Sequence, residues 1–237
     1  MLSFIVPAHN EQDLLPSTLE SIHESAKAID QPYEIIVAND ASTDATAQIA
    51  EQHGARVVHV DHRQISKTRN SGAAEAQGDV FIFVDADTTI SQELVRAVLT
   101  KIQAGAVGGG AAVKVEGRLP WYARIITPIF VFCYLNAGLA AGCFVYCTRE
   151  AFDAVGGFNE ELYATEEVSF SWAMRRHGKF VILREPVTTS GRKLRTYSLW
   201  EMTCMLSTFA FRGMPAVKSR DKLGLWYDPR REDTDQA

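Results

Sequence analysis

Cysteine is scarce in this chain. There are four, Cys133, Cys143, Cys147 and Cys204, in 237 residues. None forms a CxxC pair and none stands at a zinc-ligand spacing, which excludes a disulfide scaffold and a zinc ribbon. All four sit in apolar runs, so reduced, buried thiols and a cytoplasmic setting are expected. An excess of positive charge is also missing: 24 basic against 29 acidic side chains leave a net charge of -5. Such a chain offers no general electrostatic footprint for nucleic acid, and none is expected as a partner. No basic stretch precedes the first apolar run, Leu2–Ala8, which is too short for a signal-peptide core, so no secretory leader is expected. Long-period repeats and low-complexity segments are absent, and the six histidines form no ligand set. What is abundant is apolar: 46% of the residues are hydrophobic, enough for one sizeable core.

The first half alternates strand and helix patterns. Leu2–Pro7, Glu34–Val37, Arg56–Val60 and Val80–Val84 are short runs rich in β-branched and aromatic residues. Between them, Leu15, Leu19, Ile22, Ala26 and Ile29 recur at helical spacing, with Pro16 near the start, where a proline is tolerated. A second helix is expected from about Thr43 to His53, capped by Gly54, and a third from about Lys67 to Gln77, followed by Gly78. Such alternation implies an α/β class with a Rossmann-like, mostly parallel central sheet and flanking helices. The second half differs. Ala111–Val115 reads as a strand, Arg149–Val155 as a short helix ended by Gly156 and Gly157, and Thr165–His177 as a helix closed by Gly178. Phe180–Leu183 reads as a strand and Ser198–Phe211 as an amphipathic helix, and from about Asp228 the tail is charged and expected to fray.

In an open parallel sheet, ligands bind beyond the carboxyl ends of the strands. Three polar clusters fall at that edge. They are Pro7-Ala8-His9-Asn10-Glu11, Asn39-Asp40-Ala41-Ser42-Thr43-Asp44 and Asp85-Ala86-Asp87. Singly, each could be ordinary turn and capping chemistry. Jointly they outline a site. The third is the sharpest, because it emerges directly from the apolar strand Phe81-Ile82-Phe83-Val84. Two neighbouring carboxylates repel unless a cation lies between them, and their hard oxygens suit Mg²⁺ or Mn²⁺.

These motifs resemble, in order, those of the family 2 glycosyltransferases, inverting enzymes with the GT-A fold. The likeness covers about residues 2–195. Phe4 to Glu11 is similar to the opening strand and its P-x-x-N-E turn, and Ile36 to Asp44 to the V-D-D-G-S-T-D segment. Arg69-Asn70-Ser71-Gly72 resembles A-R-N-x-G, and Gly156-Gly157-Phe158 followed by Glu166-Glu167 resembles the G-G-F…E-D acceptor segment. The resemblance implies a sugar transferred from a nucleotide diphosphate donor, a uridine nucleotide by preference, to an acceptor hydroxyl. Asp40 would accept the uracil imide proton, with Pro7, Ala8, Asn10 and Glu11 around base and ribose and Arg69 near the nucleotide. Asp87 would ligate Mn²⁺ or Mg²⁺, with Asp85 on the ribose or the metal's water shell. Glu167 stands where relatives carry an aspartate base, and the adjacent Glu166 is the alternative. Ser169 occupies a place that is often acidic, and Ser190 or a neighbour one where relatives often have a histidine ligand. Arg192 and Lys193, in a basic loop, suit a diphosphate, since guanidinium and ammonium groups pair with phosphate oxygens. One domain is expected over residues 1–237: a nucleotide-sugar half, about 1–110, an acceptor-side half, about 111–227, and a tail.

Ile125–Cys147 contains 23 residues without a charge, interrupted by Pro128, Asn136, Gly138 and Gly142. A bilayer span there would part the acceptor segment from the metal motif, so burial in the core as a helix followed by a strand is expected. An interfacial helix near Trp121, Tyr122, Arg118 and Arg124 is the other reading. The late stretch carries an apolar face, Leu199, Met202, Leu206 and Phe209, and then Lys218, Arg220 and Lys222. A peripheral enzyme on the inner face of the membrane with a lipid-linked acceptor fits this pattern, and so does a soluble homodimer. Two other functions stay open. One is a GT-A module that binds nucleotide without turnover. The other is a sugar nucleotidyltransferase, against which stands the lack of a glycine-rich loop after the first strand; Gly108-Gly109-Gly110 comes too late and precedes a strand.

Overall fold

The computed structural model of the chain describes residues 1–196, apart from the side chains of Phe130 and Lys193. The expected helix Ser198–Phe211, Cys204, the basic residues after it and the charged tail lie outside the described residues. In chain order the elements are β1 (Leu2–Ala8), α1 (Leu15–Lys27), β2 (Tyr33–Asp40), α2 (Thr46–Gln52), β3 (Arg56–Val60), α3 (Ile65–Glu75), β4 (Val80–Val84) and β5 (Thr88–Thr89). They continue with α4 (Gln92–Gln103), β6 (Ala106–Glu116), α5 (Trp121–Ala137), β7 (Phe144–Thr148), α6 (Arg149–Val155), α7 (Glu166–His177), β8 (Lys179–Ser190) and α8 (Arg192–Thr196).

The strands form one eight-stranded sheet in the order β3-β2-β1-β4-β7-β6-β8-β5. The first four strands are mutually parallel. β7 then runs antiparallel to both β4 and β6, while β6 and β8 are parallel to each other and β5 is antiparallel to β8. β1 and β4 are buried along their whole length, which is why they read as unbroken apolar runs. On one face, α1 packs Leu15, Leu19 and Ile22 against Phe4 and Val6, and α4 adds Leu94, Val95 and Val98. Each such fully buried side chain contributes about 1.5–3 kcal/mol. On the other face, α3, α6 and α7 cover Ile5, Phe81 and Phe83 with Ala73, Phe152, Phe170 and Met174.

Several expectations are corrected. α4 has no counterpart among the expected elements, although Ser91 caps it and its apolar spacing is helical. α2 begins three residues later than expected, because Asp44 spends its carboxylate on the Thr46 N–H and hydroxyl. Gly108, Gly109 and Gly110 lie inside β6 rather than before a strand. The segment Ile125–Cys147 does become helix then strand, but only the strand is in the core. α5 leaves Trp121 72% and Phe132 67% exposed, with Ile125, Ile126 and Ile129 beside them, and Cys133 is exposed as well. Among the described residues no helix is long and apolar enough to cross a membrane.

Candidate active site

β1, β2 and β4 run parallel and end at one edge, so the residues just past them meet. Asn10 takes a φ of 52°, a left-handed turn that a short polar side chain tolerates. Its Oδ1 accepts the Thr43 N–H at 2.7 Å and its own N–H donates to Ser42 Oγ at 2.9 Å. Asn10 thereby staples the first loop to the second, with Pro7 and Ala8 buried beneath it.

Asp40 is busier than expected. Oδ1 accepts the backbone N–H groups of His62 and Arg63 at 2.7 and 2.8 Å, and Oδ2 accepts the Gln64 N–H at 3.2 Å and the Thr68 hydroxyl at 2.6 Å. Four donors use the four lone pairs of a carboxylate. In the structure Asp40 fixes the turn that starts α3, and a base imide at this carboxylate would take the place of one of the four donors. The Gln64 bond is the longest.

Arg69 departs most from expectation. It is neither on the helix surface nor open to a nucleotide; it is 1% exposed. Nη1 donates to Glu166 Oε1 at 2.7 Å, and Nη2 to Asp85 Oδ1 at 2.8 Å and to the Gly142 carbonyl at 2.7 Å. Its guanidinium lies over the Phe158 ring, 5.3 Å from the centroid. Burial opposes its charge, but Asp85 and Glu166 outweigh that and hold it protonated. Its neighbour Asn70 exchanges a pair of hydrogen bonds with the Phe158 backbone, both 2.9 Å. Gly157 has a φ of 74°, and a Cβ there would come within 2.8 Å of Asn70 Oδ1. Gly72 allows α3 to lie on β1, since a Cβ would meet Ile5 Cγ2 at 2.6 Å. The A-R-N-x-G and G-G-F motifs are therefore two halves of one joint.

That joint separates the two adjacent glutamates. Glu166 is 5% exposed and committed to Arg69. Glu167 is half-buried, and its Oε1 accepts the Tyr134 hydroxyl at 3.2 Å. Burial first, and then the Glu166 charge, push the Glu167 carboxyl up to about 8. Burial and Glu167 in turn push the Tyr134 phenol up. The environment separates the two carboxyl groups: Glu166 is bound to a guanidinium, while Glu167 accepts from a phenol. Both also sit in the first turn of α7, where acids are favoured, although Thr165 before them is left-handed at 61° and gives no side-chain cap. Tyr134 was missed in the sequence; a phenol inside an uncharged segment gives no local signal of a partner in α7.

Asp87, between β4 and β5, lies beside the C-terminal end of β8. Its carbonyl accepts the Ser190 N–H at 3.1 Å, and the Thr189 hydroxyl is 3.5 Å from its Oδ1. It is thus Thr189, more than Ser190, that brings a hydroxyl to the metal motif; the Ser190 Oγ accepts the Arg192 N–H at 3.2 Å. Arg192 Nη2 is 2.8 and 3.0 Å from the two Glu11 oxygens and 3.8 Å from Asp87 Oδ2. The expected clamp therefore stands beside the metal motif, paired to Glu11 across the site. Of Lys193 only the backbone, in α8, is described.

The sheet, with a D-x-D pair on one side of its edge and a helix-borne carboxyl on the other, has the GT-A fold. The profile described as glycosyl transferase family 2 matches residues 3–159, and the chain belongs to that family. It is 37% identical over 94 residues to the undecaprenyl-phosphate 4-deoxy-4-formamido-L-arabinose transferase of Serratia proteamaculans, a match covering 36% of this chain and 28% of that protein. It is 38% identical over 101 residues to the dolichyl-phosphate beta-glucosyltransferase of Drosophila melanogaster, covering 36% of this chain and 30% of that protein. These matches span only about a third of either relative. Among solved structures, the mannosyltransferase PcManGT of Pyrobaculum calidifontis, in complex with GDP-Man and Mn²⁺, superposes with a TM-score of 0.70 at 17% identity, over 94% of this chain and 66% of that one. TarS 1-349 of S. aureus, in complex with UDP-GlcNAc, gives 0.63 at 23% identity, over 81% and 58%. The two carry different bases, so the shared fold does not choose between them.

Proposed function

We propose that the protein is an inverting, metal-dependent transferase moving a sugar from a uridine diphosphate donor to an acceptor hydroxyl. Glu167 carries the reading. It is the carboxyl left without a guanidinium while its neighbour is paired, and its pKa is raised toward the working range of a general base. Glu167 takes the hydroxyl proton while the acceptor oxygen forms a bond to the anomeric carbon. The bond to the diphosphate breaks on the opposite face, so one displacement inverts the centre. In this reading residues 1–110 hold the donor and residues 111–227 the acceptor. The exposed face of α5, and the lipid-phosphate acceptors named in the relatives, support a peripheral enzyme on the cytoplasmic face of a membrane.

The donor set fits a hard divalent cation completed by substrate. Among the described residues no three His, Cys, Asp or Glu side chains gather into a cage. Mg²⁺ and Mn²⁺ are often held by one or two carboxylates together with substrate phosphates. Asp87 would hold the ion, with the Asp85 oxygen opposite the one bound to Arg69 nearby. Bound there, the ion supplies Lewis-acid stabilisation of charge on the departing diphosphate. Arg192 would leave Glu11 for the diphosphate oxygens, and Glu11 would turn to the ribose. Asp87→Ala is expected to abolish turnover, and chelation of the wild type should do the same. Full activity in excess chelator, measured as nucleoside diphosphate release, would remove the ion from the mechanism.

The donor base tests Asp40. The uracil imide can take the place of the Gln64 N–H on Oδ2, which keeps the carboxylate saturated provided the displaced N–H finds another acceptor. Calorimetry is expected to show tighter binding of uridine diphosphate than of guanosine diphosphate. The reverse order would overturn the assignment.

A further inference from the structure

The carboxylates of Asp85 and Asp87 are each held through one oxygen. Arg69 Nη2 donates to Asp85 Oδ1 at 2.8 Å. Asp87 Oδ1 faces hydroxyls instead, Thr88 Oγ1 at 3.3 Å and Thr189 Oγ1 at 3.5 Å. The two threonines are register partners in the β5–β8 ladder, and their hydroxyl oxygens are 2.9 Å apart. Each hydroxyl has a single proton to give. Thr88 is fully buried, so its proton needs a protein acceptor, and Thr189 Oγ1 is nearer than Asp87 Oδ1. Thr189 is then left to donate to Asp87. The main chain holds the same turn, with the Thr88 N–H on the Asp85 carbonyl and the Ser190 N–H on the Asp87 carbonyl, both at 3.1 Å. Arg192 Nη2 approaches the other Asp87 oxygen, Oδ2, at 3.8 Å.

A carboxylate tied in this way offers a cation one oxygen rather than two. Ca²⁺ takes carboxylates through one or both oxygens, in loose shells of about six to eight ligands. Mg²⁺ demands a near-octahedral shell, and Mn²⁺ accepts the same oxygen set. We infer that Thr189, backed by Thr88, is a positioning residue that sets cation selectivity. It keeps Asp87 monodentate and so favours Mg²⁺ or Mn²⁺ over Ca²⁺. The inference rests on the metal-dependent reading of the site and adds to it the residues that choose the ion.

The test is Mn²⁺ binding to the full chain with uridine diphosphate, read from the paramagnetic resonance signal of the free ion against a protein-free blank. Mg²⁺ and Ca²⁺ are then added as competitors, and for the wild type Ca²⁺ should be the poorer one. Thr189→Val should weaken Mn²⁺ by about tenfold, the low end of the loss when a ligand's hydrogen-bond partner is removed, and should narrow the gap between the competitors. Thr189→Ser, which restores the hydroxyl, should return both quantities to the wild-type values. Thr88→Val should move both in the direction of Thr189→Val, by less. The competitor ratio is read on bound Mn²⁺ alone, so partial unfolding of a variant lowers the amount bound without moving the ratio. Stronger competition by Ca²⁺ than by Mg²⁺ in the wild type, or an unmoved ratio in Thr189→Val, would overturn the inference and leave the metal-dependent reading standing. No Mn²⁺ bound by the wild type would overturn both.

Discussion

Glu167→Gln is expected to lose sugar transfer by about 10²–10⁴-fold, the usual cost of removing a general base, with nucleotide affinity kept. The proposed donor contacts are at the ends of β1, β2 and β4 and on α8, and Glu167 is on α7. The pH profile separates this role from a structural one. A base at Glu167 would work deprotonated, and burial together with Glu166 raises its pKa, so kcat/KM should rise with pH through that raised value and fall below it. The groups facing it are Glu166 from its own helix, Arg69 from α3 and Tyr134 from α5. Tyr134 and Arg69 both lower the pKa. Tyr134→Phe should therefore move the limb to higher pH and recover rate in alkaline buffer. Glu167→Asp tests the extra methylene, to which a positioned base is sensitive at the scale of about 1 Å. A normal rate in Glu167→Gln, or an unmoved limb in Tyr134→Phe, would send the search for the base elsewhere.

Arg69→Met should destabilise the fold by about 3–5 kcal/mol, the range for breaking a buried ion pair by removing one partner. The Glu166 carboxylate would be left buried without a counter-charge, and Asp85 would lose its donor. Urea denaturation measures this directly. Arg69→Met combined with Glu166→Gln should recover part of the loss, because the uncompensated anion is then gone. Glu166→Gln alone should cost stability and move the limb of the activity–pH profile to lower pH, because the Glu166 charge helps raise the Glu167 pKa, while sugar transfer is kept, which distinguishes it from Glu167→Gln. An Arg69→Met chain as stable as the wild type would mean that the buried triad contributes nothing to joining the two halves of the sheet.

Much of the parallel half was legible because β1 and β4 are buried along their whole length and α1 carries regular apolar spacing, while the partly exposed edge strand β3 is marked by its β-branched residues. Arg56–Val60, Val80–Val84 and Arg149–Val155 fall where the pattern put them. The meeting of the polar clusters after β1, β2 and β4 was legible too, since parallel strands end at one edge. The partners within the site were not. Nothing local to Arg69 says that its guanidinium turns inward to Glu166, 97 residues away, instead of outward to a nucleotide. Asp40 looked available because its four donors come from Thr68 and from a turn, His62 to Gln64, that no apolar period marks. α5 was misjudged for a related reason. An uncharged run of that length resembles core, and only tertiary packing shows that its Tyr134 side meets α7 while Ile125, Ile129 and Phe132 stay exposed.

The most direct measurement is a donor screen. Purified full-length protein is mixed with Mn²⁺, a panel of nucleotide sugars and an added lipid extract as acceptor source, and nucleoside diphosphate release is followed for the wild type, Asp87→Ala and Glu167→Gln. Release from a uridine diphosphate sugar by the wild type, absent in Asp87→Ala and strongly reduced in Glu167→Gln, is the expected result. Tight nucleotide binding by all three proteins, with no sugar of the panel turned over by the wild type, would contradict it and leave a nucleotide-binding module in place of an enzyme.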